Sequence, residues 1–324
     1  MPAAQSILNI LISSPEPVSG ESIAERLGVT RTAVWKAINL LRNQGFDIEA
    51  RPGVGYVIRE LPDRLLPDLV QSGLNTAIIG RDVICFEVTD STNTQAKALA
   101  EAGCQEGTVV VAEEQTRGKG RLERSWISPR GSNLLFSVLV RPRCLPAQVF
   151  RLNMVTSLSI VQALEKLTPL KPLIKWPNDV YVEGKKLAGI LTEFSGTADG
   201  LEYVVVGVGL NVNFLPGRWQ EIADIATSVQ AELGRPFSRL ELLREILRRF
   251  DHHYGRMKLG EDEDLKKSWN RLSLVVGKRV TVTSFDTVEH GKAVSIDDDG
   301  ALIVENDLGE TKRIICGDVS VRLS

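Results

Sequence analysis

Glu113 to Trp126 reads EEQTRGKGRLERSW, and Arg117, Lys119, Arg121 and Arg124 fall within it beside Gly118 and Gly120. That spacing lets backbone amides at the two glycines approach an anion closely while the cations converge on it. It is the chemistry of a clamp for a phosphate or an acyl phosphate, although a charge run alone also fits a solvated surface loop. A second stretch, KWPNDVYVEGKKLAGIL from Lys175 to Leu191, sets Asn178 and Asp179 beside the indole of Trp176, and after a Glu183-Gly184 turn sends Lys185 and Lys186 into an apolar strand. A lysine entering a buried strand needs an anion, and a ligand is the economical partner. Asn178 and Asp179 follow Pro177, where Asx side chains are also common turn formers. A third stretch, Asp90-Ser91-Thr92-Asn93, opens a helix bearing Ala96, Ala98 and Leu99, so its hydroxyls and free N–H groups either cap that helix or face a ligand at the preceding strand end.

These groups need strands and helices to hold them. Val83 to Val88 reads as a strand leading to Ser91, Val109 to Val111 as a buried strand entering the cationic loop, and Leu134, Leu135, Phe136, Val138 and Val140 as one leaving it. From Val204 to Asn213 an alternating strand carries Gly207, Gly209 and Asn211, where backbone comes close to whatever it contacts. Neither GVGLNV nor GKGRLE has the third glycine of a dinucleotide fingerprint. Val149 to Leu167 and Leu240 to Met257 are amphipathic helices that cover the sheet. Toward the end, Val275 to Ser284, Lys292 to Ile296, Leu302 to Glu305 and Ile314 to Val321 read as short strands of a small β-barrel, separated by Gly277, Gly291, Asp297 to Gly300 and Gly309. Asp297 to Asp299 lacks EF-hand spacing and reads as an acidic turn.

The first 60 residues have a different pattern. Ile7, Leu8 and Leu11 share a helical face, Ile23, Ala24 and Leu27 a second short helix ended by Gly28, and Thr30 caps a third whose inner stripe is Ala33, Val34, Ala37, Ile38 and Leu41. The outer face of that third helix carries Arg31, Trp35, Asn39 and Arg42, and between Thr30 and Arg42 there are three cations and no acid. Two helices meeting at Gly28-Val29 form a helix-turn-helix whose second helix enters the major groove. A hairpin about Pro52 to Gly55 is its wing, with Arg51 in reach of a phosphate. Thr30, Arg31, Thr32, Trp35, Lys36, Asn39, Arg42 and Arg51 are the candidate DNA contacts. A winged helix can also serve protein contacts or persist as an appendage, but an exposed indole and Lys36 favour DNA.

With 324 residues, 43% of them hydrophobic, the chain can build two or three domains. A net charge of −2 excludes a generic polyanion binder and confines any nucleic-acid contact to a local patch. Cys85, Cys104, Cys144 and Cys316 form no CxxC pair and the three histidines no metal-ligand spacing, so reduced thiols in a cytoplasmic protein are expected. No stretch reaches the roughly 18 to 20 apolar residues of a membrane span, and no secretory leader is visible, so no membrane partner is expected.

Taken together, Ser91-Thr92-Asn93, GKGRLER at 118 to 124, KWPND at 175 to 179, KLAGI at 186 to 190 and GVGLNVN at 207 to 213 resemble the biotin protein ligases, and with the winged helix the bifunctional kind that also represses the biotin operon. The spacing of KWPND and KLAGI is the most specific part. The resemblance implies a multidomain α+β fold: a winged helix-turn-helix over 1–62, a class II synthetase-like mixed-sheet ligase domain over 63–270 and an SH3-like β-barrel over 271–324. It implies biotin, ATP and Mg2+ as what the site takes, the biotin carboxyl carrier protein and operator DNA as partners, and a homodimer on the operator. It also implies that Ser91, Thr92 and Asn93 hydrogen-bond the biotin ureido ring, that Gln115, Lys119, Gly120, Arg121, Gly189 and Asn211 line the biotin and adenylate site, that Arg121 and Lys186 act on the reacting carboxylate and phosphate, and that Asn178 and Asp179 lie in the nucleotide and magnesium region. The family usually shows GRGRxGR, where this chain has Lys119 for an arginine and Glu123 for a glycine, from which a leakier hold on the adenylate is expected. Residues 216 to 231 do not align with the family pattern and leave Trp219 unassigned. A ligase with a vestigial winged helix and a lipoate or octanoate ligase relative are the alternative readings.

Overall fold

A computed structural model describes residues 2–43, 45–284, 287–315 and 317–321. The chain divides into two compact units, Met1–Gly73 and Leu74–Ser324. In the first, α1 (Pro2–Ser13), α2 (Gly20–Leu27) and α3 (Arg31–Asn43) close on Ile7, Leu8, Leu11, Ile23, Val34, Ile38 and Leu41. Gly28 ends α2 at φ 62°, and Thr30 Oγ1 accepts the Ala33 N–H at 3.2 Å to start α3. Antiparallel β1 (Asp47–Arg51) and β2 (Gly55–Glu60) follow, then α4 (Pro67–Gln71). Val18 and Tyr56 exchange backbone bonds at 2.9 Å, a third strand contact that the sequence pattern did not suggest.

The second unit is built on β3 (Val83–Phe86), α5 (Thr92–Glu101), β4 (Val109–Ala112), β5 (Leu134–Val140), α6 (Arg151–Leu167), β6 (Leu173–Lys175), β7 (Asp179–Val182), β8 (Lys185–Thr197) and β9 (Gly200–Leu210). The seven strands run in the order β3-β4-β5-β9-β8-β7-β6, parallel only between β3 and β4. Ala96 and Ala100 of α5 pack on Val110, Leu139, Tyr203 and Val205. Alternation then puts Gly207 and Gly209 on the same face as Val205, and register adds Ser137 opposite Gly207, and Leu191 and Glu193 opposite Gly207 and Val205. Where α5 begins, that face therefore changes from apolar to glycine and polar. Helices α7 (Val229–Leu233), α8 (Arg239–Leu259) and α9 (Glu263–Arg271) complete the layer, with α8 and α9 packed on α6.

Strands β10 (Arg279–Ser284), β11 (Thr287–Ile296), β12 (Leu302–Glu305), β13 (Thr311–Ile314) and β14 (Asp318–Val321) form an antiparallel sheet in the order β13-β12-β11-β10-β14. The expected barrel is not closed: among the described residues β13 and β14 do not pair, and only Ile314 of β13 is buried. Ile314 to Val321 is two strands, because Gly317 breaks the run in a position where a Cβ would lie 2.9 Å from Thr283 O. Gly291, expected between strands, lies inside β11, where a Cβ would meet Glu305 O at 2.2 Å. Cys104 and Cys144 form no disulfide among the described residues, and Cys316 lies outside them. Among those residues no helix is long and apolar enough to cross a membrane.

Candidate active site

On the face where glycine replaces apolar side chains, a cavity of about 540 Å3 gathers Ser91, Thr92, Asn93, Gln115, Lys119, Gly120, Arg121, Asn178, Asp179, Lys186, Gly189 and Asn211, all expected from sequence. Its polar end stands at the start of α5. Ser91 is buried and its hydroxyl makes no capping bond; Asp90 Oδ1 instead accepts the Ser91 N–H at 2.7 Å and Gln95 Nε2 at 3.0 Å. Those hydrogen bonds, that from Gln95 first, hold the Asp90 carboxyl below its ordinary value. Ser91 stands at the N-cap position without capping through its hydroxyl, and the N–H of Thr92 is taken by Gln115 instead. Gln115 Oε1 takes the Thr92 N–H at 2.6 Å and lies 3.0 Å from the Thr92 hydroxyl. Asn93 turns its amide into the protein: Nδ2 donates to Leu191 O and Glu193 Oε2, and Oδ1 sits 2.6 Å from Ser137 Oγ.

The floor is made by paired glycines. Gly189 of β8 lies opposite Gly209 of β9, and the Trp126 indole covers them so closely that a Cβ on Gly209 would come within 2.4 Å of the ring. A Cβ on Gly207 would meet Asn93 Oδ1 at 2.1 Å. The Trp126 N–H is buried with no acceptor in the protein, an orphaned donor in a cavity wall. Sequence reasoning ended a motif on Trp126 without assigning it. It likewise missed Ser137 and Glu193, and Ile222, Ile225 and Ala226, which add an apolar wall from the unaligned segment. Trp219 itself packs against Phe214, ring centres 5.8 Å apart and planes tilted by 60°.

Opposite the polar end lie the cations. The loop folds back on itself through Gly120 N to Arg124 O and Trp126 N to Gly118 O, and Gly118 is required there because a Cβ would lie 2.6 Å from Trp126 O. Lys119 Nζ donates to Thr94 Oγ1 at 3.2 Å. Arg121 reaches Asn178 Oδ1 at 3.1 Å and Gly317 O at 3.4 Å, and Arg124 pairs with Asp318 at 3.0 Å. The convergence of four cations is reduced to three: Arg117 is exposed and absent from the cavity wall, its backbone N–H being tied to Asp90 O. The Glu123 side chain lies outside the described residues.

Lys186 finds its anion within the protein. Its Nζ lies 2.8 Å from Asp179 Oδ1, an ion contact out of hydrogen-bond alignment, and 5.6 Å from the Trp126 ring centre. Lys185 donates to Ala223 O at 3.1 Å. Asn178 bridges β8 through Nδ2 to Ile190 O at 2.7 Å, while Trp176, after which comes a cis bond to Pro177, donates its buried N–H to Gly300 O at 3.0 Å. Burial first, then Asp179 and Asp318, pushes the Tyr181 hydroxyl in the same wall up to about 12. Asn211 spans from Asn133 to Thr227 O and ties the end of β9 to the segment before α7.

In the first unit, Thr30, Arg31, Thr32, Trp35 and Lys36 are exposed on one face of α3. Arg42 folds back instead, donating through Nε and a terminal nitrogen to Ile48 O at 3.0 and 2.8 Å and contacting Asn39, while Arg51 pairs with Glu49 at 3.2 Å.

A cavity that joins a hydroxyl and amide wall, a glycine floor and five cations, three of them from the loop, can bind a polar ring and hold two anionic groups beside it. Residues 85–211 match the biotin/lipoate A/B protein ligase family, 4–57 a helix-turn-helix domain and 275–322 the biotin protein ligase C-terminal domain. The chain is 34% identical over 307 residues to the bifunctional ligase/repressor BirA of Bacillus subtilis, covering 94% of each chain. With the bifunctional ligase/repressor BirA of Escherichia coli it shares 32% over 316 residues, 96% of this chain and 95% of that one. A solved biotin protein ligase from Aquifex aeolicus in complex with biotin and ATP superposes with a TM-score of 0.64 at 32% identity, over 75% of this chain and 100% of that one. The chain belongs to the biotin protein ligase family, on the bifunctional ligase/repressor side of it.

Proposed function

We propose that the cavity joins biotin to ATP and passes the biotinyl group to one lysine of the biotin carboxyl carrier protein of acetyl-CoA carboxylase. The observation that carries this reading is the cavity itself, whose wall joins Ser91, Thr92 and Gln115, with Lys119 held to Thr94 beside them, to Arg121 at Asn178 and Lys186 at Asp179. A biotin carboxylate oxygen attacks the α-phosphorus of ATP, the bond to pyrophosphate breaks, and biotinyl-5′-AMP forms. Two anions must meet for this, and cations already in place offset their repulsion and stabilise the charge developing at phosphorus. Arg121 and Lys186 are the residues assigned to that task, with Lys119 beside them. The acceptor amine then attacks the activated carbonyl, AMP leaves and the amine gives up its proton. No covalent enzyme nucleophile is needed, and the loop over the mixed anhydride keeps water from it.

Among the described residues no group of three His, Cys, Asp or Glu side chains is set to hold a metal. Magnesium keeps most of its waters and binds through phosphates plus one or two carboxylates, and Asp179 is a carboxylate of the wall that fits this demand. The ion would neutralise charge on the nucleotide phosphates. Asn211, at the β9 end, supports the adenine side through its hold on Thr227.

A lipoyl or octanoyl group is a poorer occupant, because its apolar ring or chain offers no hydrogen-bonding partner to the wall of Ser91, Thr92 and Gln115. The first unit acts as a repressor, with biotinyl-5′-AMP as corepressor and a homodimer matching a two-fold operator. Arg31, Thr32, Trp35 and Lys36 are its readers, Thr30 sets the helix start, and Asn39, Arg42 and Arg51 stiffen the frame and touch phosphate. Incubation with ATP, magnesium, biotin and a carrier domain, read on a streptavidin blot, is expected to label the carrier; labelling with lipoate or octanoate instead would reverse the reading. A gel shift on DNA upstream of biotin genes is expected to appear only when biotin and ATP are both present, and a ligase with a vestigial winged helix would give none.

A further inference from the structure

The wall at the start of α5 is a chain of hydrogen-bonding groups whose far end is a charge. Ser91, Thr92, Asn93 and Ser137 are all nearly or completely buried. Ser137 Oγ lies 2.6 Å from Asn93 Oδ1 and 2.8 Å from Thr92 Oγ1, and Thr92 Oγ1 lies 3.0 Å from Gln115 Oε1. Those three contacts have two hydroxyl protons between them, so their direction must be set from outside. Glu193 does so. Asn93 and Lys97, one turn apart on α5, both donate to it across to β8, Asn93 Nδ2 to Oε2 at 2.8 Å and Lys97 Nζ to Oε1 at 2.7 Å. An ionised carboxylate only accepts, so the Asn93 amide must turn its NH2 to Glu193 and Leu191 O and its oxygen to Ser137. Ser137 then gives its proton to Asn93 and presents only lone pairs to Thr92, while the Thr92 N–H at 2.6 Å independently holds the Gln115 oxygen, so the one Thr92 hydroxyl proton has two acceptors to choose between.

We propose that Glu193, clamped by Lys97, is a positioning residue for the ring end of the cavity: it sets the orientation of the Asn93 amide and with it the Ser137 proton, and so decides whether the Thr92 hydroxyl meets a donor or an acceptor at Ser137. A cyclic urea, with one carbonyl oxygen flanked by two N–H groups, demands such a fixed pattern, because one reversed hydroxyl or amide sets like against like. Without the carboxylate only Leu191 O, at 3.2 Å, holds the Asn93 amide against the flip that would turn the Ser137 proton to Thr92, and the wall becomes a mixture of patterns of which only one fits. This inference rests on the reading of the cavity as a biotin site.

The test is calorimetric titration of biotin, without ATP, into the full chain and its variants, with thermal unfolding run in parallel. Glu193→Met is expected to weaken biotin at least tenfold, Glu193→Gln less, since one acceptor remains, and Lys97→Met about threefold, while KM for ATP stays within twofold. Because Glu193 and Ser137 act on one chain, the loss in Glu193→Met with Ser137→Ala is expected to be well short of the product of the single losses. If Glu193→Met fails to fold, Glu193→Gln and Lys97→Met carry the test by the same criteria. Biotin affinity within twofold of wild type in every folded Glu193 variant overturns the inference, as do multiplying losses or an equal fall in biotin and ATP affinity. Wild-type protein that takes up no biotin overturns the site reading as well, so the two failures are told apart.

Discussion

The two ends of the cavity are stabilised in different ways. At the ring end the polar groups are buried and bonded to one another, and the residues that orient them, Lys97 and Glu193, bond to each other. At the nucleotide end Lys186 and Asp179, 32% and 20% exposed, are as accessible as Lys97 and Glu193, 33% and 27%, and the open pair is Arg124 and Asp318, 70% and 45%. Ion pairs as exposed as Arg124–Asp318 are worth at most about 1 kcal/mol, so an arriving phosphate can exchange with the carboxylate at small cost. The contrast is sharper beside Arg239 and Glu113, 2.6 Å apart with 3% and 12% exposed, which fasten α8 to the end of β4 and leave the ligand no access. The difference teaches that recognition of the ring is settled when the chain folds, whereas the charge needed for activation is kept in contacts that can be traded.

The largest expected effect separates the ends. Lys186→Ala should slow adenylate formation by about 100- to 1,000-fold, the cost of losing one preorganised group aimed at developing charge, while biotin binding without ATP changes a few-fold at most. Pyrophosphate release and calorimetry measure the two quantities on one sample, and a comparable loss of biotin affinity would show that the ends are not independent. A smaller effect is expected of Asp318→Asn, which removes the carboxylate that Arg121 approaches at 3.9 Å and Arg124 at 3.0 Å. With that competitor gone, KM for ATP should fall about threefold, in line with an exposed pair worth under about 1 kcal/mol, and biotin affinity should not move. A rise in KM for ATP would mean that Asp318 holds the arginines in place for the nucleotide.

Much of the nucleotide end was legible because its residues sit in short contiguous runs. Lys119 and Arg121 share one loop, and Asn178, Asp179 and Lys186 flank one hairpin, so chain proximity stood in for spatial proximity. The ring end was legible only where it coincided with a helix start, at Ser91, Thr92 and Asn93. Ser137 stands in an apolar run and looks like strand interior; only the pairing Ser137 to Gly207 brings it under Asn93. Glu193 alternates with apolar residues along β8 and reads as a solvent-facing position, whereas register puts it opposite Val205 on the α5 face. Trp126 closes the cationic motif, yet its place over Gly189 and Gly209 depends on the loop turning back at Gly118. The winged helix was read almost element by element, since its contacts are local, but the return of Arg42 to Ile48 O is a contact between α3 and β1 that no spacing rule announces. The small C-terminal sheet was read as four strands because nothing in Ile314 to Val321 except Gly317 marks the break.

The smallest expected effect is an absence of change, and it tests whether the ring end is as settled as the comparison holds. Burial works to raise the Glu193 carboxyl, but hydrogen bonds from Lys97 and Asn93, with the charges of Lys97 and Lys119 behind them, outweigh it and hold the group below its ordinary value of 4.5. A carboxylate depressed in the folded chain contributes its stability fully above the unfolded value and loses it only as pH falls through the lower, folded one. Biotin affinity measured without ATP is therefore expected to stay level within about twofold from pH 8 down to about 5, and to drop only below the ordinary glutamate range. In Lys97→Met one of the two donors holding the carboxylate is gone, the group protonates at higher pH, and the fall in affinity should begin earlier. A wild-type profile that already declines between pH 7 and pH 5, or a Lys97→Met profile that coincides with it, would place the control of the wall elsewhere than in Glu193.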